Sequence, residues 1–219
     1  MITVAVADDE TLFRSGLSLI VSSQADLKVV AEAADGQEAV AAVREHRPDV
    51  VLMDIQMPVM DGIEATEEIV RQSLPTRVLM LTTFGVDRNV YEALRAGASG
   101  FLLKTVPPEQ LVGGVRAVAA GDMLLAPAIT RRLIGDWVRR PVAGSAHPRL
   151  KTLTAREAEV LTLVGKGLSN AEIASELHFG EATVKTHLGR VLTKTGCRDR
   201  VQAVVLAYES GLITPGSGG

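Results

Sequence analysis

The chain has 219 residues, 47% of them hydrophobic, 22% charged and 3% aromatic, enough for one large domain or two small ones with packed cores. Its longest stretch without a charged residue, 15–25, falls far short of the ~20 apolar residues a membrane span needs, and no basic leader follows Met1, so a cytoplasmic location is expected. The single cysteine, Cys197, excludes an internal disulfide, and His46, His147, His178 and His187 lack metal-ligand spacing.

A net charge of −3 hides an asymmetry. Residues 1–120 carry 10 basic and 17 acidic side chains, residues 121–150 carry 5 and 2, and residues 151–219 carry 8 and 7. Two domains with different partners would give this pattern, and so would acids that merely solvate the first half.

Short apolar runs at 3–7, 28–32, 50–53, 77–81 and 100–103 read as buried parallel strands. Between and after them, amphipathic patterns at 12–22, 36–45, 62–72, 88–96 and 108–120 read as helices. Strict alternation of this kind argues for right-handed crossovers and a flavodoxin-like α/β fold, a five-stranded parallel sheet in the order 2-1-3-4-5. The rhythm breaks after residue 121. A helical stretch at 128–138 is followed by a Gly-, Ser-, Ala- and Pro-rich segment at 142–148, which reads as flexible. Helices are then expected at about 155–166, 170–177, 181–194 and 199–210, the first two opened by the capping boxes Thr154-x-x-Glu157 and Ser169-x-x-Glu172. The expected division is 1–121, a linker at 122–149, an all-α four-helix domain at 150–214 and a disordered tail at 215–219.

Three carboxylates follow strands in the first domain: Asp8 and Asp9 after strand one, Asp54 after strand three. In a 2-1-3-4-5 sheet those strands are neighbours, so the three converge. Like charges that close are costly unless a cation neutralises them, and oxygen ligands of this type suit Mg2+. Lys104 ends strand five and Thr82 ends strand four, adding a positive charge and a hydroxyl. The set would position a phosphoryl group for transfer to Asp54. Taken singly, Asp8 and Asp9 read equally well as helix caps, Asp54 as a turn residue and Lys104 as a solvated strand end.

Asp8-Asp9, the run from Met53-Asp54-Ile55-Gln56-Met57-Pro58 to Asp61-Gly62, Leu81-Thr82-Thr83 and the run from Gly97-Ala98 to Leu103-Lys104 resemble the receiver domain of bacterial response regulators. The resemblance implies that Asp54 is the phosphoacceptor. It also implies that Asp9, Asp54 and the Gln56 backbone carbonyl ligate Mg2+ or Mn2+, with Asp8 acting through water. Lys104 would contact the phosphoryl oxygens, Thr82 would swing toward them, and Phe101 would turn inward in the active state. Phe101 stands where many receivers carry Tyr.

In the C-terminal segment two short helices joined by His178-Phe179-Gly180 suit a helix-turn-helix. Val184, Leu188, Val191 and Leu192 share one helix face and should be buried. Thr183, Thr186, Arg190 and Thr193 point the opposite way, with Lys185 and Lys194 on the flanks. From the residues alone, an ordinary amphipathic helix fits nearly as well as a DNA-reading one. The motifs Leu153-Thr154-x-Arg156-Glu157, Gly167-Leu168-Ser169-Asn170-x-Glu172-Ile173-Ala174 and Thr183-Val184-Lys185-Thr186-His187 closely resemble the LuxR-type helix-turn-helix. The order of the two modules is that of NarL/FixJ-type response regulators.

That resemblance implies base contacts to double-stranded promoter DNA from Lys185 and Thr186; Thr183 on the exposed face is a further DNA-binding candidate, and Arg190 and Lys194 are candidates for phosphate contacts, which position without specifying sequence. Gly189 supplies no base contact where relatives carry Ser or Lys, and Gly180 replaces a capping Ser. It implies a homodimer on phosphorylation, with Val201, Val204, Val205 and Tyr208 on the last helix as candidate interface residues. The partners implied are a sensor histidine kinase and, at the promoter, RNA polymerase; no membrane contact is expected. The expected function is a two-component regulator of transcription, not an enzyme beyond Mg2+-dependent self-phosphorylation and slow self-dephosphorylation at Asp54.

Overall fold

The computed structural model describes residues 1–83, 87–121, 124–125 and 148–213. The helix expected at 128–138, the segment 142–147 and the tail 215–219 lie outside the described residues. The chain divides into two compact units, Met1–Thr130 and Arg131–Gly219. Among the described residues there are nine α-helices, and no helix is long and apolar enough to cross a membrane.

In the first unit, strands and helices alternate: β1 (Ile2–Ala7), α1 (Thr11–Ser22), β2 (Leu27–Ala33), α2 (Gly36–His46), β3 (Val50–Asp54), α3 (Gly62–Arg71), β4 (Arg77–Thr82), α4 (Asp87–Ala96), β5 (Gly100–Leu103) and α5 (Pro108–Ala120). The strands are parallel in the order β2-β1-β3-β4-β5, as the alternation predicts. A sixth strand, β6 (Leu124–Leu125), adds to the β5 edge in parallel. At two residues it is too short to carry any alternation, so nothing in the pattern announced it.

Both faces of the sheet are covered, which is why its strands are nearly continuous apolar runs. On one face Val4, Val6, Leu52, Leu79 and Leu81 pack with Leu17 and Val21 of α1 and Leu111, Val115 and Val118 of α5. The alternate positions Ala5, Ala7, Val51, Met53, Val78, Met80 and Phe101 are also buried. Register then sets the site: Ala7 lies beside Met53, Asp54 beside Leu81 and Thr82 beside Leu103. The residues at or just past those ends are therefore neighbours along one edge of the sheet.

The second unit opens with a short 3-10 turn (Pro148–Thr152), followed by α6 (Ala155–Gly165), α7 (Asn170–Leu177), α8 (Glu181–Thr195) and α9 (Arg200–Glu209). Both predicted capping boxes form, Thr154 with Glu157 and Ser169 with Glu172. His178 ends α7 in the left-handed conformation, and α8 starts at Gly180 without a side-chain cap. Val160, Leu161, Val164, Ile173, Val184, Leu188 and Val191 make the core. Gly165 lets α6 and α9 cross closely, since a Cβ there would lie 2.8 Å from that of Ala207.

Candidate functional site

Asp8, at the end of β1, is fully buried, and Asp54, at the end of β3, is 6% exposed. Lys104, one residue past β5, reaches between them, its Nζ 2.6 Å from Asp8 Oδ2 and 3.0 Å from Asp54 Oδ2. The other carboxylate oxygens are held by main chain: Asp8 Oδ1 accepts from the Glu10 amide at 3.0 Å, and Asp54 Oδ1 from the Ile55 amide at 2.8 Å. Burial, the largest influence on Asp54, raises its pKa; Lys104 works against that rise and Asp8 adds to it. Burial pulls the Lys104 ammonium down, but the two carboxylates together outweigh it and hold its pKa above the ordinary lysine value. Lys104 also lies over the Phe13 ring, 4.7 Å from its centroid, so a cation–π contact fixes it from the α1 side.

Carboxylate oxygens of Asp8, Asp9 and Asp54 come within 4.8 Å of one another. A cavity of about 250 Å3 opens onto Asp9 and Asp54, lined also by Ile55, Gln56, Thr82, Thr83 and Lys104. Asp9 and Gln56 are exposed on its rim. Hard oxygen donors around open space, with no sulfur or imidazole, fit a Mg2+-type ion that keeps several waters. The start of α3 abuts the site: the Gly62 amide donates to the Ile55 carbonyl, and a Cβ on Gly62 would fall 1.9 Å from the Asp54 carbonyl oxygen. Only glycine permits that approach.

Thr82 is 8% exposed on the cavity wall, but its hydroxyl donates to the Thr83 carbonyl at 3.0 Å and not to Asp54. Phe101 is fully buried, in the inward position that the resemblance ties to the active state. The structure thus brings Asp8, Asp54 and Lys104 into direct contact and places Asp9, Gln56 and Thr82 around them. Phe13 and Arg14 went unnoticed in the sequence. Arg14 Nη1 donates to the Asp8 carbonyl at 2.6 Å, and no motif or spacing signals that contact.

On α8, Thr183, Lys185, Thr186, Gly189, Arg190 and Thr193 are exposed, while Val184, Leu188 and Val191 are buried. The expected two-sided helix is therefore present, with Leu192 only half-buried. The hydroxyls of Thr186 and Thr193 donate to the carbonyls of Ala182 and Gly189, both at 2.9 Å. Lys194 was expected to face phosphate. Its ammonium instead lies 2.7 Å from Oε2 of Glu157, which is 3% exposed on α6. That bond, with the Thr154 amide, holds the Glu157 carboxyl down at a pKa of about 2. On α9, Val201, Val204, Val205 and Tyr208 are all buried, as are Ala203, Leu206 and Ala207 between them.

Residues 4–116 match the response regulator receiver domain family, and residues 151–207 match the luxR family of bacterial regulatory proteins. The chain is 40% identical over 212 residues to the response regulator protein VraR of Staphylococcus aureus, covering 97% of this chain and 99% of that one. It is equally identical, over 212 residues and 97% of each chain, to the transcriptional regulatory protein YxjL of Bacillus subtilis. Among solved structures it resembles the response regulator ChrA of a heme-sensing two-component system, with a TM-score of 0.54 and 37% identity over 97% of this chain and 98% of that one. A LuxR-family two-component response regulator from Aurantimonas aligns with a TM-score of 0.59 at 33% identity, over 64% of this chain and 99% of that one. With both modules matched in order and full-length relatives of this kind, the chain belongs to the two-component response regulators that join a receiver to a LuxR-type DNA-binding domain and regulate transcription in response to phosphorylation.

Proposed function

We propose that Asp54 is the phosphoacceptor of this receiver, and that its phosphorylation by a sensor histidine kinase controls pairing of the chain and its binding to promoter DNA. The observation that carries this reading is the Lys104 ammonium held between the buried Asp8 and Asp54, with Asp9 open beside them. Asp54 Oδ2 attacks phosphorus as the donor's P–N bond breaks, giving an acyl phosphate and returning the electron pair to the kinase imidazole. Lys104 then moves from the two carboxylates to the phosphoryl oxygens, and the Thr82 hydroxyl leaves the Thr83 carbonyl to join it. Asp9, Asp54 and the Gln56 carbonyl, with Asp8 through water, would hold a Mg2+ or Mn2+ ion, which would supply neutralisation of the transferring phosphoryl charge. Hydrolysis of the acyl phosphate resets the protein.

In this reading residues 1–121 receive the phosphoryl group, 122–149 link, 150–214 bind DNA and 215–219 are a tail, all in the cytoplasm. Lys185 and Arg190 supply the charge on the exposed face of α8, and Thr183 and Thr186 the close-packing methyls that suit a major groove. Pairing places two α8 helices on two half-sites beside RNA polymerase. The test is intact-mass spectrometry after incubation with acetyl phosphate and Mg2+. One phosphoryl adduct, absent in Asp54→Ala, is expected; an adduct that survives in Asp54→Ala would place the chemistry elsewhere.

A further inference from the structure

We propose that Arg14 is a positioning residue of the acid pocket, whose guanidinium fixes the peptide between Asp8 and Asp9 and thereby sets where the Asp9 carboxylate stands toward a divalent cation. The inference rests on the pocket reading given above.

The two neighbouring aspartates are held differently. Each oxygen of the Asp8 carboxylate has its own partner, the Glu10 amide and the Lys104 ammonium. Among the described residues no hydrogen bond holds the Asp9 carboxylate, and Asp9 is exposed. Its position therefore follows from the backbone that carries it. The carbonyl of Asp8 belongs to the peptide leading into Asp9, so a group that holds this carbonyl restrains the backbone from which the Asp9 side chain projects at the rim of the cavity.

Arg14 holds that carbonyl. It sits in the first turn of α1, and its Nη1 donates to the Asp8 carbonyl at 2.6 Å. A second anchor keeps the guanidinium from following the loop: its Nε lies 3.5 Å from Glu32 Oε2 on β2, whose Oε1 accepts from Ser18 Oγ of α1 at 2.7 Å. The Arg14 side chain is 15% exposed, so these charged contacts are partly shielded from water and the planar fork holds its direction. The chain of contacts runs from Ser18 and Glu32 through Arg14 to the peptide ahead of Asp9. Groups behind a metal ligand that orient it change metal affinity when removed, commonly by about 10- to 100-fold.

The experiment is isothermal titration of Mg2+ into the full-length protein and into Asp9→Asn, Arg14→Met, Glu32→Gln and Arg14→Met/Asp9→Asn, with the metal-free thermal midpoint of each. Wild type should bind Mg2+, and Asp9→Asn should bind it more weakly. Arg14→Met should lose about tenfold in affinity and Glu32→Gln a smaller factor, while the double variant binds no worse than Asp9→Asn alone. Should Arg14→Met fail to fold, Glu32→Gln carries the test, because it loosens the guanidinium and leaves it in place. Unchanged Mg2+ affinity in both Arg14→Met and Glu32→Gln, or an undiminished further loss on the Asp9→Asn background, would overturn the proposal and leave Arg14 as a strut between α1 and β2. Mg2+ binding indifferent to Asp9→Asn would overturn the pocket reading itself, and the proposal with it.

Discussion

Val59 follows Pro58 in the loop from β3 to α3, with φ of +67°, and the Met60 amide closes a three-residue turn onto the Pro58 carbonyl at 2.7 Å. A β-branched residue is poorly suited to that region. The left-handed conformation costs an L-residue about 1–2 kcal/mol, and a branched Cβ puts Val59 toward the upper end. Against this, little packing would be lost on truncation, because Val59 is 78% exposed. If full burial of such a side chain contributes ~2 kcal/mol, the share at stake here is about 0.4 kcal/mol. Glycine also adds freedom to the unfolded chain, which costs about 0.7 kcal/mol. Val59→Gly should therefore stabilise the first unit by about 1 kcal/mol, whereas Val59→Ala, which keeps a Cβ, should lie near wild type. Urea titration followed by amide NMR resonances reads the first unit separately from the second. With a urea slope of about 1–3 kcal/mol/M, the midpoint should rise by a few tenths of a molar or more. A fall in the Val59→Gly midpoint, or a gain matched in full by Val59→Ala, would refute the argument that backbone strain is stored at this position.

Other expectations concern both units. Gly62→Ala drives a Cβ into the Asp54 carbonyl, which can be relieved only by moving the start of α3, so a loss of about 3 kcal/mol or more is expected in the same titration; a change below about 1 kcal/mol would contradict the close approach. The folded-state pKa of Glu157, about 2, lies below the ordinary glutamate value of 4.5, so its pairing with Lys194 stabilises the second unit above pH 4.5 and that stability drains away as pH falls toward 2. Lys194→Met should flatten this dependence in melts between pH 5 and 2, and an unchanged slope would contradict it. For DNA, Lys185→Ala and Arg190→Ala should each lower the slope of log affinity against log salt by about 1. Lys194→Met should alter that slope less than either, since its ammonium is paired with Glu157; an equal change would show that Lys194 abandons Glu157 for phosphate.

The parts legible in the sequence were those written in local pattern. Five apolar runs between amphipathic segments determine the doubly wound sheet, and carboxylates just after the first and third runs converge because β1 and β3 are neighbours. The capping boxes at Thr154 and Ser169 are local signals and form as expected. What escaped depends on contacts between distant residues. Arg14 on Asp8 and Glu32, and Phe13 beneath Lys104, need the tertiary placement of α1. Glu157 announced itself as a capping residue, but its bond to Lys194, 37 residues on, carries no sequence mark and changes what Lys194 is for. On α9 an unbroken apolar run from Ala203 to Tyr208 carries no mark of which positions lie outermost, and all six are buried.

In the proposed function, chemistry at Asp54 governs assembly of the chain. Sedimentation velocity in Mg2+, with and without beryllofluoride as a phosphoryl mimic, tests it most directly, with Asp54→Ala as the control. A shift from monomer to dimer on adding beryllofluoride, abolished in Asp54→Ala, is the expected result. No shift in the wild type, or an equal shift in Asp54→Ala, would contradict it.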